Sequence, residues 1–420
     1  MGQASPVLVL IILQSASLGT LWAKSPSNDN SYPGVPTLTQ SMTVADFPKD
    51  EYAKRCKRAW RLMREHGIEA LLLTGESNRR YFTGHRTQLW VGNARPMFAI
   101  LAQGKDPIVI VTEVEGDVVR STSWVKDVRT WIGFADDSLP LLVDILKELK
   151  LERSTIGVDY GSEMRLGMPV PSFKTLQTLV PKVAFVDGSP ILWAARMIKS
   201  ENEIEYIRQA CSANENGFLV GWRVAQPGMT ERDLQRRMAI AMLEGGADRV
   251  QWLPLNSGEG NYHKISMEPT ERKLLVGDTI WCDAGVTVRG YWSDYNRVAA
   301  VGRASEEQKS AYRNVWDLTR ECIEAVSPGV PLAAISDIAK NAFKGPGRIG
   351  HGSGLDITEP PSIRSEDDTV IEPGMILHIE PRVVLPFGCF QLEEVIAVTE
   401  RSYEFLSTPA PQEIPVTGQI

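Results

Sequence analysis

The chain has 420 residues, with 45 Lys and Arg against 52 Asp and Glu, a formal net charge of −7. That length suits two or three domains with a substantial core, and the mild, unblocked charge excludes the basic footprint of a nucleic-acid-binding surface. Five cysteines, Cys56, Cys211, Cys282, Cys322 and Cys389, are scattered without a Cys-x-x-Cys pair, which argues against a disulfide framework and against thiolate zinc sites.

Residues 1–44 read as a leader and a linker. Val7 to Leu13 is a seven-residue apolar run that extends weakly to Trp22, with Ala23 offering a small residue for cleavage before Lys24. The opening MGQASP lacks the basic start of a signal peptide, and the run is too short and mixed for a stable membrane span. Pro6 breaks the myristoylation pattern despite Gly2. The balance leans slightly to a secreted or periplasmic protein, with a cytoplasmic one as the alternative. Residues 25–40 are polar and Pro-containing, a linker by composition.

From 47 to 67, Tyr52, Cys56, Trp60, Leu62 and Met63 recur at helical intervals, and Gly67 stops the helix. Residues 68–74 (IEALLLT) form a continuous apolar run of the kind that makes a buried strand. Further strands are expected at 99–101, 108–111, 128–131 and 155–158, with an amphipathic helix at 139–149. This alternation over 45–195 predicts an α/β domain with a mixed sheet. Near 195 the texture changes. Ser200 and Glu203 form a capping box for a long helix, and Thr230 with Asp233 opens a second helix that ends at Gly245-Gly246. Residues 196–412 then predict an α+β domain: a strand at 251–255, a loop through His263, a hairpin at 277–297, a helix at 306–326, another within 328–344, a Gly-rich loop around His351, and a second hairpin.

The two hairpins carry the chemistry. In GDTIWCDAGVTVRGYWSDYNR, a turn centred between Val288 and Arg289 puts Asp283 opposite Asp294 on one face. Glu380 and Glu393 pair the same way about Pro386, Phe387 and Gly388. Like charges held that close call for a cation between them. Taken singly, each residue has a plainer reading: His351 as a satisfied loop histidine, Glu380 as an ion-pair partner of Arg382. Glu394 should face away from Glu393 as a structural partner, and His378 shares the face of Glu380. Taken together, Asp283, Asp294, His351, Glu380 and Glu393 form an oxygen-rich set with one nitrogen, suited to two divalent ions about 3.5–4 Å apart.

The same motifs, with IGHGSGLDITEPP, EPGMILHIEP and LEEVIAVTE, resemble the pita-bread metallopeptidases: Xaa-Pro dipeptidases (prolidases), aminopeptidase P and methionine aminopeptidase. Residues 45–195, including SNRRYFTGH, resemble the creatinase/prolidase N-terminal domain. The resemblance implies a pita-bread catalytic domain, a homodimer, and two divalent ions (manganese, cobalt, zinc or iron). It implies that Asp294 and Glu393 bridge the ions, with His351 and Glu380 on one and Asp283 on the other. It further implies that Glu380 relays a proton to the leaving amine and that His263 binds substrate near the tetrahedral intermediate.

Two positions depart from that pattern. Thr358 stands where the peptidases usually carry a second histidine, and Gln391 where many carry arginine. Both fall on the substrate side, where a lost donor is worth roughly 2–4 kcal/mol. The leading expectation is therefore a dinuclear-metal hydrolase of a short peptide, Xaa-Pro dipeptidase or aminopeptidase-like. The alternatives are an enzyme of the same fold acting on a small amide or zwitterion (a creatine-like or ectoine-like C–N hydrolase, or a sulfonium-propionate lyase) and a non-catalytic binding module. The lyase branch carries an extra aspartate where this chain has Gly285.

Overall fold

The computed structural model describes residues 45–340 and 348–418. The expected leader, residues 1–44, and part of the helix expected within 328–344 lie outside them. No helix among the described residues is long and apolar enough to cross a membrane.

The first half is built on a six-stranded mixed sheet in the order Asp127–Trp131, Ile108–Thr112, Phe98–Ala102, Ala70–Leu73, Thr155–Val158, Ala184–Asp187. Its four inner strands are apolar on both faces because both faces are covered. Leu72, Ile100 and Ile110 face the helices Leu139–Glu148 and Val170–Leu179 in one core. Leu71, Leu73, Leu101 and Val111 face Tyr52, Cys56, Ala59 and Met63 of the helix Lys49–Glu65 in another. That second core runs on into the C-terminal half through Ile207, Phe218, Met238 and Ala284. The helix Glu76–Thr83, which follows the first strand, escapes the sequence pattern because it is only eight residues long.

The ladders between strands of the C-terminal half are all antiparallel among the described residues, with one isolated parallel bridge between Ala300 and Val416. The hairpin Thr279–Val288/Tyr291–Ala300 is flanked by the strands Arg249–Trp252 and Leu255–Ser257. It is packed by the capped helices Glu201–Val224 and Glu231–Glu244, whose Ser200/Glu203 box and Thr230 cap form as expected. A second sheet orders Glu359–Ser362, Gly350–Gly352, Ile376–Ile379, Glu394–Val398 and Tyr403–Phe405. All five cysteines are buried and unpaired.

Two expectations about the site need correction. The turn residues of the first hairpin are Arg289 and Gly290, with φ of 49° and 77°; both are positive, as a two-residue type I′ turn requires. The turn centre therefore lies one residue later than expected. Asp283 opposes Asn296 and Asp294 opposes Gly285. The pairing shifts by two residues, an even number, so both acids stay on one face as diagonal neighbours about 7–8 Å apart. His351 lies on a strand, not in a loop, and directly opposes His378. The second hairpin keeps its expected register: Ile379 pairs Glu394 and Arg382 pairs Gln391, so Glu380 faces Glu393 across the gap between those ladders.

The two halves are joined by a buried ion network. Arg196, at the end of the helix Ser189–Met197, pairs with Glu359 and with Asp356 at 2.7 Å, while Lys199 reaches Glu359 at 3.1 Å. Burial opposes the ionisation of Glu359, but the Arg196 and Lys199 charges outweigh it and hold its carboxyl at about 2. Its contribution to stability is complete above the ordinary carboxylate range near pH ~4 and is lost as pH falls through about 2. Glu359→Gln leaves buried Lys199 uncompensated and Arg196 with Asp356 alone, and should cost about 3–5 kcal/mol, read as a lower midpoint in chemical denaturation. An unchanged midpoint would show that the network carries no stability.

Candidate metal centre

Four carboxylates and two imidazoles converge where the two hairpins meet. Asp294 and Glu393 form the floor, their side chains 8% and 2% exposed, and Glu380, 18% exposed, stands nearer the mouth with half-buried Asp283. His351 Nε2 lies 3.6 Å from Asp294 Oδ2, 3.6 Å from Glu380 Oε1 and 3.8 Å from Glu393 Oε1. Ligand atoms of Asp294, His351, His378 and Glu393 all lie within 4.8 Å of one another.

Every side chain of the set except that of Asp294 is aimed by a second contact. His351 Nδ1 lies 2.9 Å from the Gly352 carbonyl, an acceptor that requires the proton on Nδ1 and leaves the Nε2 lone pair facing three carboxylates. His378 Nδ1 donates to the Asp294 carbonyl at 2.6 Å and lies 3.0 Å from Glu393 Oε1, while its Nε2 accepts from Ser353 Oγ at 2.7 Å. With both nitrogens engaged, His378 is a clamp between the two hairpins, stacked 4.6 Å from the His351 ring. Trp252 Nε1 donates to Asp283 Oδ2 at 2.8 Å. Gln391, itself buried, donates from Nε2 to Glu380 Oε2 at 2.8 Å and accepts from Trp281 Nε1 at 3.2 Å. Behind the floor, Arg297 Nη1 donates to the Glu393 carbonyl at 2.6 Å, and its Nη2 pairs with Glu394 at 3.0 Å.

What remains unpaired points to a cation. Asp283 Oδ1 and Asp294 Oδ1 are buried without a hydrogen-bond partner. The lone pair of His351 has only acceptors in front of it. Buried acceptors facing acceptors are costly unless protons or a metal ion sit between them. The donor set, carboxylates with one free imidazole nitrogen, fits a borderline or hard divalent ion.

The sequence-expected residues divide accordingly. Asp283, Asp294, His351, Glu380 and Glu393 are brought together. Thr358 sits at the edge, where Arg348 Nη2 donates to its Oγ1 at 3.3 Å. His263 is exposed on a turn after Leu255–Ser257 and makes no hydrogen bond or ion pair among the described residues. Glu380 has no ion pair with Arg382; its arginine neighbour is Arg348, whose Nε lies 4.0 Å from Oε1. Glu394 faces away from the centre onto Arg297, as the strand alternation predicts. Trp252 and Arg348 do not stand out in the sequence, whereas His378, expected there only to share the face of Glu380, is the residue that clamps the two hairpins.

Comparison with known proteins decides the family. The Creatinase/Prolidase N-terminal domain matches residues 55–198, and Metallopeptidase family M24 matches residues 205–400. The chain belongs to the M24 metallopeptidases. As an M24 protein with a creatinase-type N-terminal domain and a pita-bread catalytic domain, it is a metal-dependent hydrolase. It is 26% identical over 349 residues to an uncharacterized peptidase of Staphylococcus haemolyticus (strain JCSC1435), covering 81% of this chain and 94% of that relative. The crystal structure of dipeptidase PepE from Mycobacterium ulcerans matches with a TM-score of 0.75 at 25% identity, over 88% of this chain and 99% of that one. The Xaa-Pro dipeptidase from Bacillus anthracis matches in fold with a TM-score of 0.76 at 22% identity, over 87% and 99%.

The electrostatics of the M24 centre are those of a metal-free carboxylate cluster. Burial, then the charges of Asp283 and Glu380, raise Asp294 well above the usual range. Burial, then Asp294 and Glu380, do the same to Glu393. Burial pushes Asp283 up to about 6, against the Trp252 hydrogen bond. Burial and Asp283 push Glu380 up to about 7, against Arg348 and Arg382. His351 and His378 are held neutral, chiefly by burial, the latter at about 3.

A raised acid binds more protons folded than unfolded, so these groups make the metal-free fold less stable as pH rises from the ordinary carboxylate range through their raised values. Thermal unfolding in a chelator should show that decline. Manganese added at pH 7 should reverse it with release of protons, by about 2.7 kcal/mol at a hundredfold excess over the dissociation constant. Asp294→Asn should raise the unfolding temperature of the metal-free protein and abolish the manganese-induced rise. A rise of the same size in that variant would remove Asp294 from the metal site.

Proposed function

We propose that this chain is a dinuclear-metal amidase that cleaves a short peptide, of the Xaa-Pro dipeptidase or aminopeptidase kind. The observation that carries the reading is the convergence of Asp294, His351 and Glu393 with their ligand atoms mutually within 4.8 Å, flanked by Asp283 and Glu380. The names of its relatives, a peptidase, a dipeptidase and an Xaa-Pro dipeptidase, support the substrate class.

Asp283, Asp294, His351, Glu380 and Glu393 would hold the ions between them, the two most deeply buried acids being Asp294 and Glu393. Manganese, cobalt, zinc or iron bound there would supply a water that ionises near neutral pH and a Lewis acid for the amide carbonyl. The remaining work falls to the protein. Glu380 has Oε2 held by Gln391 and Oε1 facing His351 Nε2 and Arg348, and we assign it the transfer of a proton from the nucleophile to the leaving nitrogen. A carboxyl near pKa 7 before metal binding marks how strongly this position holds a proton. Gln391 uses both polar ends inside the protein, and we read it as the residue that orients Glu380, not as a substrate contact. His378 and Trp252 fix Glu393 and Asp283 before substrate arrives, the preorganisation on which such a site depends.

One observation weighs against the lyase alternative. A Cβ at Gly285 would lie 3.1 Å from each of Ile357, Trp252 and Trp292. An aspartate there would have to displace the tryptophan that holds Asp283.

Purified protein should hydrolyse Xaa-Pro dipeptides, longer Xaa-Pro peptides or small zwitterionic amides only with manganese, cobalt, zinc or iron present. Glu380→Gln should lower kcat by about 10²–10⁴ while metal content is retained. Undiminished turnover in that variant, or activity in excess chelator, would refute the mechanism. Cleavage confined to the small zwitterions would move the assignment to the creatine-like or ectoine-like C–N hydrolases.

A further inference from the structure

The rim of the centre carries a cation that no step above uses. Arg348 lies three residues before His351, and its guanidinium spans from Thr358 to Glu380. Nη2 donates to Thr358 Oγ1 at 3.3 Å, and Nε lies 4.0 Å from Glu380 Oε1. No other Lys or Arg among the described residues comes within 4.0 Å of Glu380. The Arg348 charge bears on Asp294, His351, His378 and Glu380 together, and its side chain stands between that cluster and the solvent.

The geometry does not fit a structural ion pair. At 4.0 Å the Nε contact is too long for a hydrogen bond, and the second oxygen of Glu380 is already taken by Gln391. A guanidinium kept for that carboxylate alone would close on it in a fork. Here most of its five N–H groups have no partner among the described residues, and the side chain is 32% exposed at the mouth. A planar donor fork half open to solvent beside a cluster of acids is placed to receive an anionic oxygen from a bound molecule. The two side chains nearest in role cannot do so: Thr358 is uncharged, and Gln391 is buried and engaged at both ends.

We propose that Arg348 is the cation of the substrate side, donating to an anionic oxygen of the bound amide while Thr358 steadies its guanidinium. This rests on the hydrolase reading above. The anionic oxygen has two possible sources, the free carboxylate of a dipeptide or the oxyanion that develops on the scissile carbonyl, and the same residue chemistry serves either.

The test uses the full chain loaded with manganese, with Arg348→Met and Arg348→Lys. Steady-state kinetics on Ala-Pro and on its C-terminal amide give kcat and KM separately. Calorimetry with a phosphinate analogue of Ala-Pro and with the analogue's C-terminal amide gives a readout that needs no turnover. Arg348→Met should weaken binding of the phosphinate acid at least tenfold, and Arg348→Lys should restore part of that loss. If the oxygen is the carboxylate, KM rises on Ala-Pro alone and the analogue amide is bound as tightly as before. If it is the oxyanion, kcat falls on both substrates and both analogues lose affinity. Analogue affinities and kinetic constants all within twofold of the unaltered enzyme would overturn the proposal. Absence of turnover by the unaltered enzyme with the calorimetric loss intact would instead remove the hydrolase reading and leave the anion site standing.

Discussion

The repulsion among Asp283, Asp294, Glu380 and Glu393 is the constraint on which the catalytic half depends. Four carboxylates on one enclosed face would drift apart if they were carried on loops, because each could lower its energy by reaching water. Here they cannot. Asp283 lies on a strand bonded along both edges, to Tyr291–Ala300 on one side and to Arg249–Trp252 and Leu255–Ser257 on the other. Glu380 and Glu393 sit at the gap between two ladders that share one register. The hairpins are then tied to each other by His378 on the Asp294 carbonyl, by the Glu393 amide on Asn296 Oδ1 at 3.3 Å, and by Arg297 on the Glu393 carbonyl. Backbone order absorbs the repulsion, and an ion that enters finds its ligands already in place.

That logic also decides how much of the centre is legible in the chain. The acids are legible because strand alternation is strict: an acid within an apolar strand, matched by another across a turn, is costly to bury unless the pair holds a cation. The same periodicity tolerates an error. Placing the Arg289-Gly290 turn one residue early moves the partner of Asp283 from Asn296 to Asp294, yet an even shift in register leaves the face unchanged, so the two acids still share it. His351 reads as loop because its strand is three residues long and mostly glycine, too short for any period to register. Trp252, His378 and Gln391 act by side-chain direction across the gap between sheets. Sequence spacing does not encode that direction, whereas the capping box at Ser200 and Glu203 is local and legible in full.

The N-terminal half bears on the same centre through one segment. Residues 353–359 connect the His351 strand to Glu359, and contacts from several sides hold them. Ser77 Oγ donates to Asp356 Oδ1 at 2.6 Å, Arg196 pairs with Asp356 and Glu359, and Trp292 Nε1 donates to the Leu355 carbonyl at 3.2 Å. Leu355, Asp356 and Ile357 also line a cleft of about 1670 Å³, with Trp292 at the hairpin end and Trp90 and Leu166 from the N-terminal half. The segment that carries Thr358 is therefore positioned by both halves, and the first domain shapes the approach to the site without supplying any of its acids.

Separation of metal-holding from substrate-holding follows from how each is supported. The acids are locked by ladders against their mutual repulsion, so replacing one disturbs all. The proposed substrate side rests on single side chains at the ends of short strands, Thr358 before Glu359–Ser362 and Arg348 before Gly350–Gly352, while Gln391 at the end of Gly388–Gln391 holds Glu380. A cation can be absent at 358 and 391 and present at 348 with no change to the register of any strand. What changes is the direction from which an anionic oxygen is met: from Arg348, beside Glu380. On the proposed roles, a group that approaches Glu380 from that side would bring its leaving nitrogen to Oε1, the oxygen that Gln391 does not hold. Selectivity would then be set by where the guanidinium stands, independently of the residues that hold metal.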